Sequence, residues 1–160
     1  EKERVGGNQK VLKRCMNLKH TGNNKVLLPY HTESTSPHRK HTIEFLKNLP
    51  FVDFQSEKLP FEEYLNLLTK YKYCICLEGN GDDTHRNYEC LLVGTVPIIK
   101  NTNIDLIYRD WNLPSIFIDD WRALGYPEQS SEFDFSSVGH FLKTSSHFSR
   151  IINIKEASIK

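Results

Sequence analysis

A chain of 160 residues with 38% hydrophobic and 11% aromatic side chains carries enough apolar material for one domain with a sizeable core, which excludes a disordered polar segment. No apolar run approaches the roughly 20 residues that cross a bilayer, and the opening EKERVGGNQK lacks the apolar stretch of a secretory signal, so the chain as given reads as soluble: cytoplasmic, or lumenal if a longer parent carries an N-terminal anchor. Net charge is only +1, yet residues 1–41 hold nine Lys or Arg against three acids and the remainder twelve against seventeen; without dense aromatic interleaving, this basic start suits a phosphorylated small molecule better than nucleic acid.

Residues 1–24 are polar and basic, with a single helix-like stretch, VLKRCMNL, and form a lead-in segment to a domain over 25–160. KVLLPYH is an apolar run of strand length. Ser36 as N-cap and Pro37 at the first helical position then open a helix to about Leu49, whose apolar face is Ile43, Leu46 and Leu49 with Phe45 beside them. VDFQSE predicts a short second strand, and FEEYLNLLTK a second helix with Phe61, Tyr64, Leu65 and Leu68 on one side.

YKYCICL predicts a third, nearly all-buried strand. THRNYECLLV predicts a third helix with Tyr88, Leu91 and Leu92 as its core stripe, terminated by Gly94. TVPIIK follows as the fourth strand, NIDLIYRDW as a short helical turn and SIFID as the fifth strand. FSSVGHFLKTSSHF closes the chain as a helix with Val138, Phe141 and Leu142 inward.

Strands that are continuously apolar and alternate with helices predict a doubly wound parallel α/β sheet, covered on both faces. Right-handed crossovers place every strand's C-terminal end on one edge, where the turns after strands one, three and four converge and ligands bind. Cys15, Cys74, Cys76 and Cys90 show no C-x-x-C spacing, and Cys74 with Cys76 share one strand face; they read as small buried hydrophobes, with no structural metal expected.

The candidate chemistry lies at that edge. Arg86 occupies the first turn of a helix, where a cation opposes the macrodipole unless an anion lies between. Gly79 and Gly81 bracket Asn80 in a turn whose backbone amides, with Thr84 and the helix N-terminus, form a candidate anion cradle. Arg39 sits in the corresponding turn after the first strand, so the two guanidiniums suggest a diphosphate clamp. His31, His38 and His85 border the same mouths as possible added donors, or as ordinary turn residues.

Glu89, three residues beyond Arg86, is either its intrahelical ion-pair partner or an acceptor for ribose hydroxyls. Asp82 and Asp83 fit helix capping better than a metal pair. Asp119 and Asp120, at the last strand's end, suit either a cap or a sugar contact.

CLEGNGDDTHRNYECLLVGTVPII resembles the nucleotide-sugar-binding half of exostosin-like glycosyltransferases: a strand, a Gly-rich turn, S/T-x-R, x-x-E, then a G-x-x-P strand. Thr84, Arg86, Glu89, Gly94 and Pro97 stand in those places, and Tyr30 to Arg39 and SIFIDDW resemble flanking segments, so the resemblance covers roughly residues 25–124. It implies the C-terminal, donor-binding half of a GT-B architecture, with the other Rossmann-like half upstream in a longer parent and usually no obligatory metal.

By that resemblance Arg86 binds the donor diphosphate and Glu89 the ribose of a UDP- or GDP-sugar, and in an inverting member the catalytic base comes from the N-terminal half. The expected activity is sugar transfer to a hydroxyl of a glycan or other acceptor, with Arg86 and Arg39 stabilising the leaving diphosphate and no tightly bound cofactor. Two other readings stay open: a noncatalytic nucleotide- or partner-binding α/β module, and a nucleic-acid-binding domain built on residues 1–41.

Overall fold

The computed structural model describes residues 21–32, 37–79, 81, 84–128 and 132–144. Outside this range fall the helix expected over 11–18 with Cys15, the Ser36 cap, Asn80, Asp82, Asp83 and the last residues of the closing helix. No helix among the described residues is long and apolar enough to cross a membrane.

Five strands, β1 (Asn23–Leu28), β2 (Val52–Phe54), β3 (Tyr71–Cys76), β4 (Val96–Lys100) and β5 (Ile116–Ile118), alternate with helices α1 (Pro37–Leu46), α2 (Phe61–Leu68), α3 (His85–Leu92) and α4 (Asp105–Asp110). A 3-10 turn (Trp121–Ala123) and a last helix, α5 (Val138–Thr144), follow β5. Every strand pairing is parallel, in the order β2-β1-β3-β4-β5, which makes the doubly wound α/β sheet.

The strand order explains which helix covers which face. From β1 to β2 the chain moves one way along the sheet, and from β2 onward it moves the other way. A right-handed crossover must therefore place α1 on one face and α2, α3 and α4 on the opposite face. The two core clusters match this division. Val26, Leu28, Tyr73, Ile75 and Ile98 pack with Ile43 and Leu46 of α1 and with Trp121, while Leu27, Cys74, Cys76 and Ile99 pack with Leu65, Leu91, Tyr108 and Phe141.

Alternate residues of each strand feed opposite clusters, so a continuously apolar strand is what a doubly covered sheet demands. Full burial of Leu65 and Leu68 contributes about 1.5–3 kcal/mol each by removal from water.

Most elements are shorter than their apolar runs. β1 ends at Leu28, where Pro29 supplies no amide for a ladder. It also starts before Lys25, so the end of the lead-in belongs to the domain: the Thr21 and Asn23 amides donate to the Thr69 and Lys70 carbonyls at 3.0 and 2.8 Å. Phe45, expected beside the apolar face of α1, is 38% exposed.

α3 is more deeply set than its apolar stripe suggested, since Asn87 and Cys90 are fully buried beside Tyr88, Leu91 and Leu92. It ends as expected at Gly94, whose φ of 81° is the left-handed conformation. The Gly94 amide reaches the Leu91 carbonyl and the Thr95 amide the Cys90 carbonyl, at 3.3 and 3.0 Å, the paired bonds of a Schellman motif. Asn112, at φ 49°, ends α4 in the same way.

Candidate functional site

Strand order turns direction between β1 and β3, and the crevice outside their C-terminal ends is where open α/β sheets bind ligands. Arg39 and Arg86 flank that crevice. Each is engaged with the loop on the other side. Arg39, in the helix after β1, donates through Nη1 to the Thr32 carbonyl at 3.0 Å and through Nη2 to the Glu78 carbonyl after β3. Arg86, in the helix after β3, donates through Nη2 to the Tyr30 carbonyl after β1, at 3.0 Å.

The unfavourable placement of Arg86 in a helix first turn is thus answered in part by a carbonyl and by Tyr64 of α2. Arg86 Nε donates to the Tyr64 hydroxyl at 3.3 Å, and its Cζ lies 5.7 Å from the ring centroid. Burial disfavours the Arg86 charge, but Tyr64, the Cys74 and Cys76 thiols and Glu89 outweigh it and raise its pKa. Burial and the Arg86 charge lower the Arg39 pKa, against the opposing pull of Glu78. The two guanidiniums thus share one crevice, and the charge of Arg86 acts on Arg39.

Glu89 lies near both Arg86 and Tyr64, close enough for its charge to act on each. Thr84 occupies the N-cap of α3 without a side-chain cap bond, and its hydroxyl donates instead to Asn87 Oδ1 at 3.1 Å. His85 and His38 are exposed at the same edge.

Two expectations about this edge need correction. The Gly79 amide does not point outward to a ligand, because it donates to the Gly81 carbonyl at 3.1 Å. The position also has room for a side chain: a Cβ at Gly79 would stand 3.5 Å from the Thr84 methyl and 3.8 Å from Arg39 Nη2, in ordinary contact with both. The second correction concerns His31, expected as a possible donor. Its Nδ1 lies 2.6 Å from the Pro29 carbonyl, and a carbonyl only accepts, so Nδ1 carries the proton. Burial, the Arg86 charge and the Arg39 charge together hold the ring neutral, with its pKa lowered to about 2. Nε2 is therefore a lone pair, an acceptor for a hydroxyl and no donor to phosphate.

Among the described residues, His31 Nε2, Arg39 Nε and Asn87 Nδ2 are buried without a hydrogen-bond partner. Such atoms are costly to leave unsatisfied, and these three belong to elements bordering the crevice. A shallow open cleft of about 280 Å³ lies beside it, bounded by Tyr30, Gln55, Glu57, Lys58, Tyr64 and Arg86. Its wall includes the loop after β2, because β2 lies directly beside β1.

Glu78, which no motif singled out, ties the edge to the far side of the sheet. Its Oε2 accepts from Trp121 Nε1 at 2.9 Å, and its Oε1 lies 3.6 Å from Lys100 Nζ at the end of β4. Of the acidic pair after β5, Asp120 caps the 3-10 turn by accepting from the Arg122 amide at 3.0 Å, and Asp119 accepts from Asn101 Nδ2 at 3.2 Å. Both carboxylates are engaged within the protein.

No protein-family model matches this chain, and no curated protein matches it.

Proposed function

We propose that this chain is the donor-binding half of a glycosyltransferase that uses a nucleoside-diphosphate sugar. The observation that carries the reading is the pair of mutually repelling guanidiniums, Arg39 and Arg86, at the β1/β3 crevice. A diphosphate there relieves the repulsion and meets planar donors suited to its oxygens. Glu89 then accepts from the ribose hydroxyls, as the resemblance to exostosin-like enzymes implies, and His31 Nε2 is a further hydroxyl acceptor.

In the transfer step the bond from the sugar's anomeric carbon to the diphosphate oxygen breaks, and its electron pair leaves with the nucleoside diphosphate. The acceptor hydroxyl oxygen bonds to that carbon, and its proton passes to a base in the partner half of the GT-B architecture. Arg39 and Arg86 stabilise the negative charge that develops on the leaving group, the task at which fixed cations are most effective.

Calorimetric titration with UDP, GDP, ADP and CMP, with and without magnesium, tests the reading. Metal-independent binding of one nucleoside diphosphate, lost in Arg86→Ala protein that keeps its circular dichroism spectrum, is the expected result. Absence of binding by every nucleotide overturns donor binding by this chain alone.

A second reading has its own observation, since both arginines already donate to backbone carbonyls. In a noncatalytic α/β module the two would act only as straps between loops. Loss of stability in Arg86→Ala with no nucleotide affinity in the parent protein distinguishes this case.

A further inference from the structure

Cys74, Cys76 and Cys90 meet in the core on the α3 side of the sheet, apart from any hydrogen bonding at the crevice. Cys74 and Cys76 are two residues apart on β3 and so share a face, and Cys90 reaches them from α3. The three sulfurs lie within 4.8 Å of one another, the Cys76 and Cys90 Sγ atoms 3.7 Å apart, and no residue of the cluster is more than 2% exposed. All three are free thiols.

Their spacing can be compared with what a metal ion requires. Three thiolates at a bond length of about 2.3 Å around one ion in a plane stand about 4 Å apart. The Cys76–Cys90 edge of the sulfur triangle is already of that size and the other two are no longer than 4.8 Å, so an ion could enter with little movement of the backbone. Among the described residues no His, Asp or Glu joins the group as a fourth ligand. Zinc structural sites take four ligands, so a set of only three thiolates suits Cu(I) better among the ions that soft sulfur donors select. A cation also stands by: Arg86, four residues before Cys90 on α3, places its positive charge near Cys74 and Cys76. It offsets part of the negative charge of a thiolate centre, which a dry core otherwise disfavours.

We propose that Cys74, Cys76 and Cys90 form a three-thiolate site for a single soft monovalent metal ion of the Cu(I) kind. The thiol protons leave to solvent as the ion binds, and no electron is transferred because copper enters already reduced. An ion there joins β3, whose following loop holds Glu78, to α3, which carries Arg86.

The test uses the full chain with Cys15→Ser, so that only the three buried thiols remain, under reducing and oxygen-free conditions. Cu(I) is titrated in competition with a coloured Cu(I) chelator. The protein is expected to withhold a single equivalent, to gain thiolate-to-copper absorption in the ultraviolet, and to melt at a higher temperature with copper than without. X-ray absorption is expected to report three sulfur neighbours. Cys90→Ala and Cys74→Ala, which keep the core apolar, should each surrender the metal to the chelator. The proposal is overturned if the chelator retains all the copper, or if Cys90→Ala withholds as much as the parent.

Discussion

Trp121 donates its indole Nε1–H to Glu78 Oε2 across 2.9 Å, so a residue after β5 fixes the carboxylate of a residue after β3. The same carboxylate faces Lys100 at the end of β4, and the Glu78 carbonyl accepts from Arg39. Three strand ends are therefore tied to the loop that opens the candidate site. Trp121→Phe keeps most of the ring and removes the donor; it should lower unfolding free energy by about 1–2 kcal/mol. A double-mutant cycle with Glu78→Gln in urea titrations should show coupling between the two changes. Additive effects would mean that the bond does not contribute.

Acid should destabilise the fold through His31. Its pKa is lowered to about 2 in the folded protein from an ordinary value of 6.5, so the unfolded chain takes up a proton that the folded chain refuses. Stability from this group is complete above pH 6.5 and falls with pH below it, at up to about 1.4 kcal/mol per pH unit. Urea midpoints from pH 7 to pH 5 should show that fall in the parent and a shallower one in His31→Gln. An equal slope in both proteins would put the acid sensitivity elsewhere.

Bound diphosphate should partly reverse the same shift. Arg86 and Arg39 both lower the His31 pKa, and an anion between them weakens that field. The imidazole proton resonances, followed by NMR through a pH titration, should move toward protonation at higher pH with nucleotide present. No change on saturation would place the ligand away from the crevice.

Arg86→Lys separates the clamp from the strap. Lysine keeps the charge but cannot match the fork that reaches both Tyr64 and the Tyr30 carbonyl. Nucleotide affinity should drop about tenfold or more, corresponding to at least about 1.4 kcal/mol. Calorimetry on folded Arg86→Lys checks this, and unchanged affinity would assign Arg86 a structural role alone.

Gly94→Ala should cost about 1–2 kcal/mol, because φ at 81° brings a Cβ against the following carbonyl. Asn112→Gly, at φ 49°, should be neutral or mildly stabilising by the same reasoning. Chemical denaturation of both variants measures the contrast, and equal effects would show that backbone strain does not decide either helix end.

The doubly covered parallel sheet was legible because short continuous apolar runs such as YKYCICL alternate with helical segments, and because Gly94 marks a helix end. Strand order was not legible, since periodicity reports which residues are buried and not which strands are neighbours. Placing β2 beside β1 is what brings Gln55, Glu57 and Lys58 to the cleft. Arg39 and Arg86 could be found from their place in first helical turns, but their carbonyl partners could not. Backbone acceptors leave no trace in residue identity. The union of Cys74 and Cys76 with Cys90 escaped notice for a related reason: the three sit on two elements, at spacings that match no metal motif.

The exchanged arginine bonds have a kinetic meaning. Arg39 reaches from the β1 side to Glu78, and Arg86 reaches from the β3 side to Tyr30, so the two loops are laced in both directions. Neither loop can swing away while its counterpart stays in place. Residues 30–32 and 77–79 should accordingly exchange their amide hydrogens as one opening unit, and anything entering the crevice meets a gate whose two leaves are hinged together.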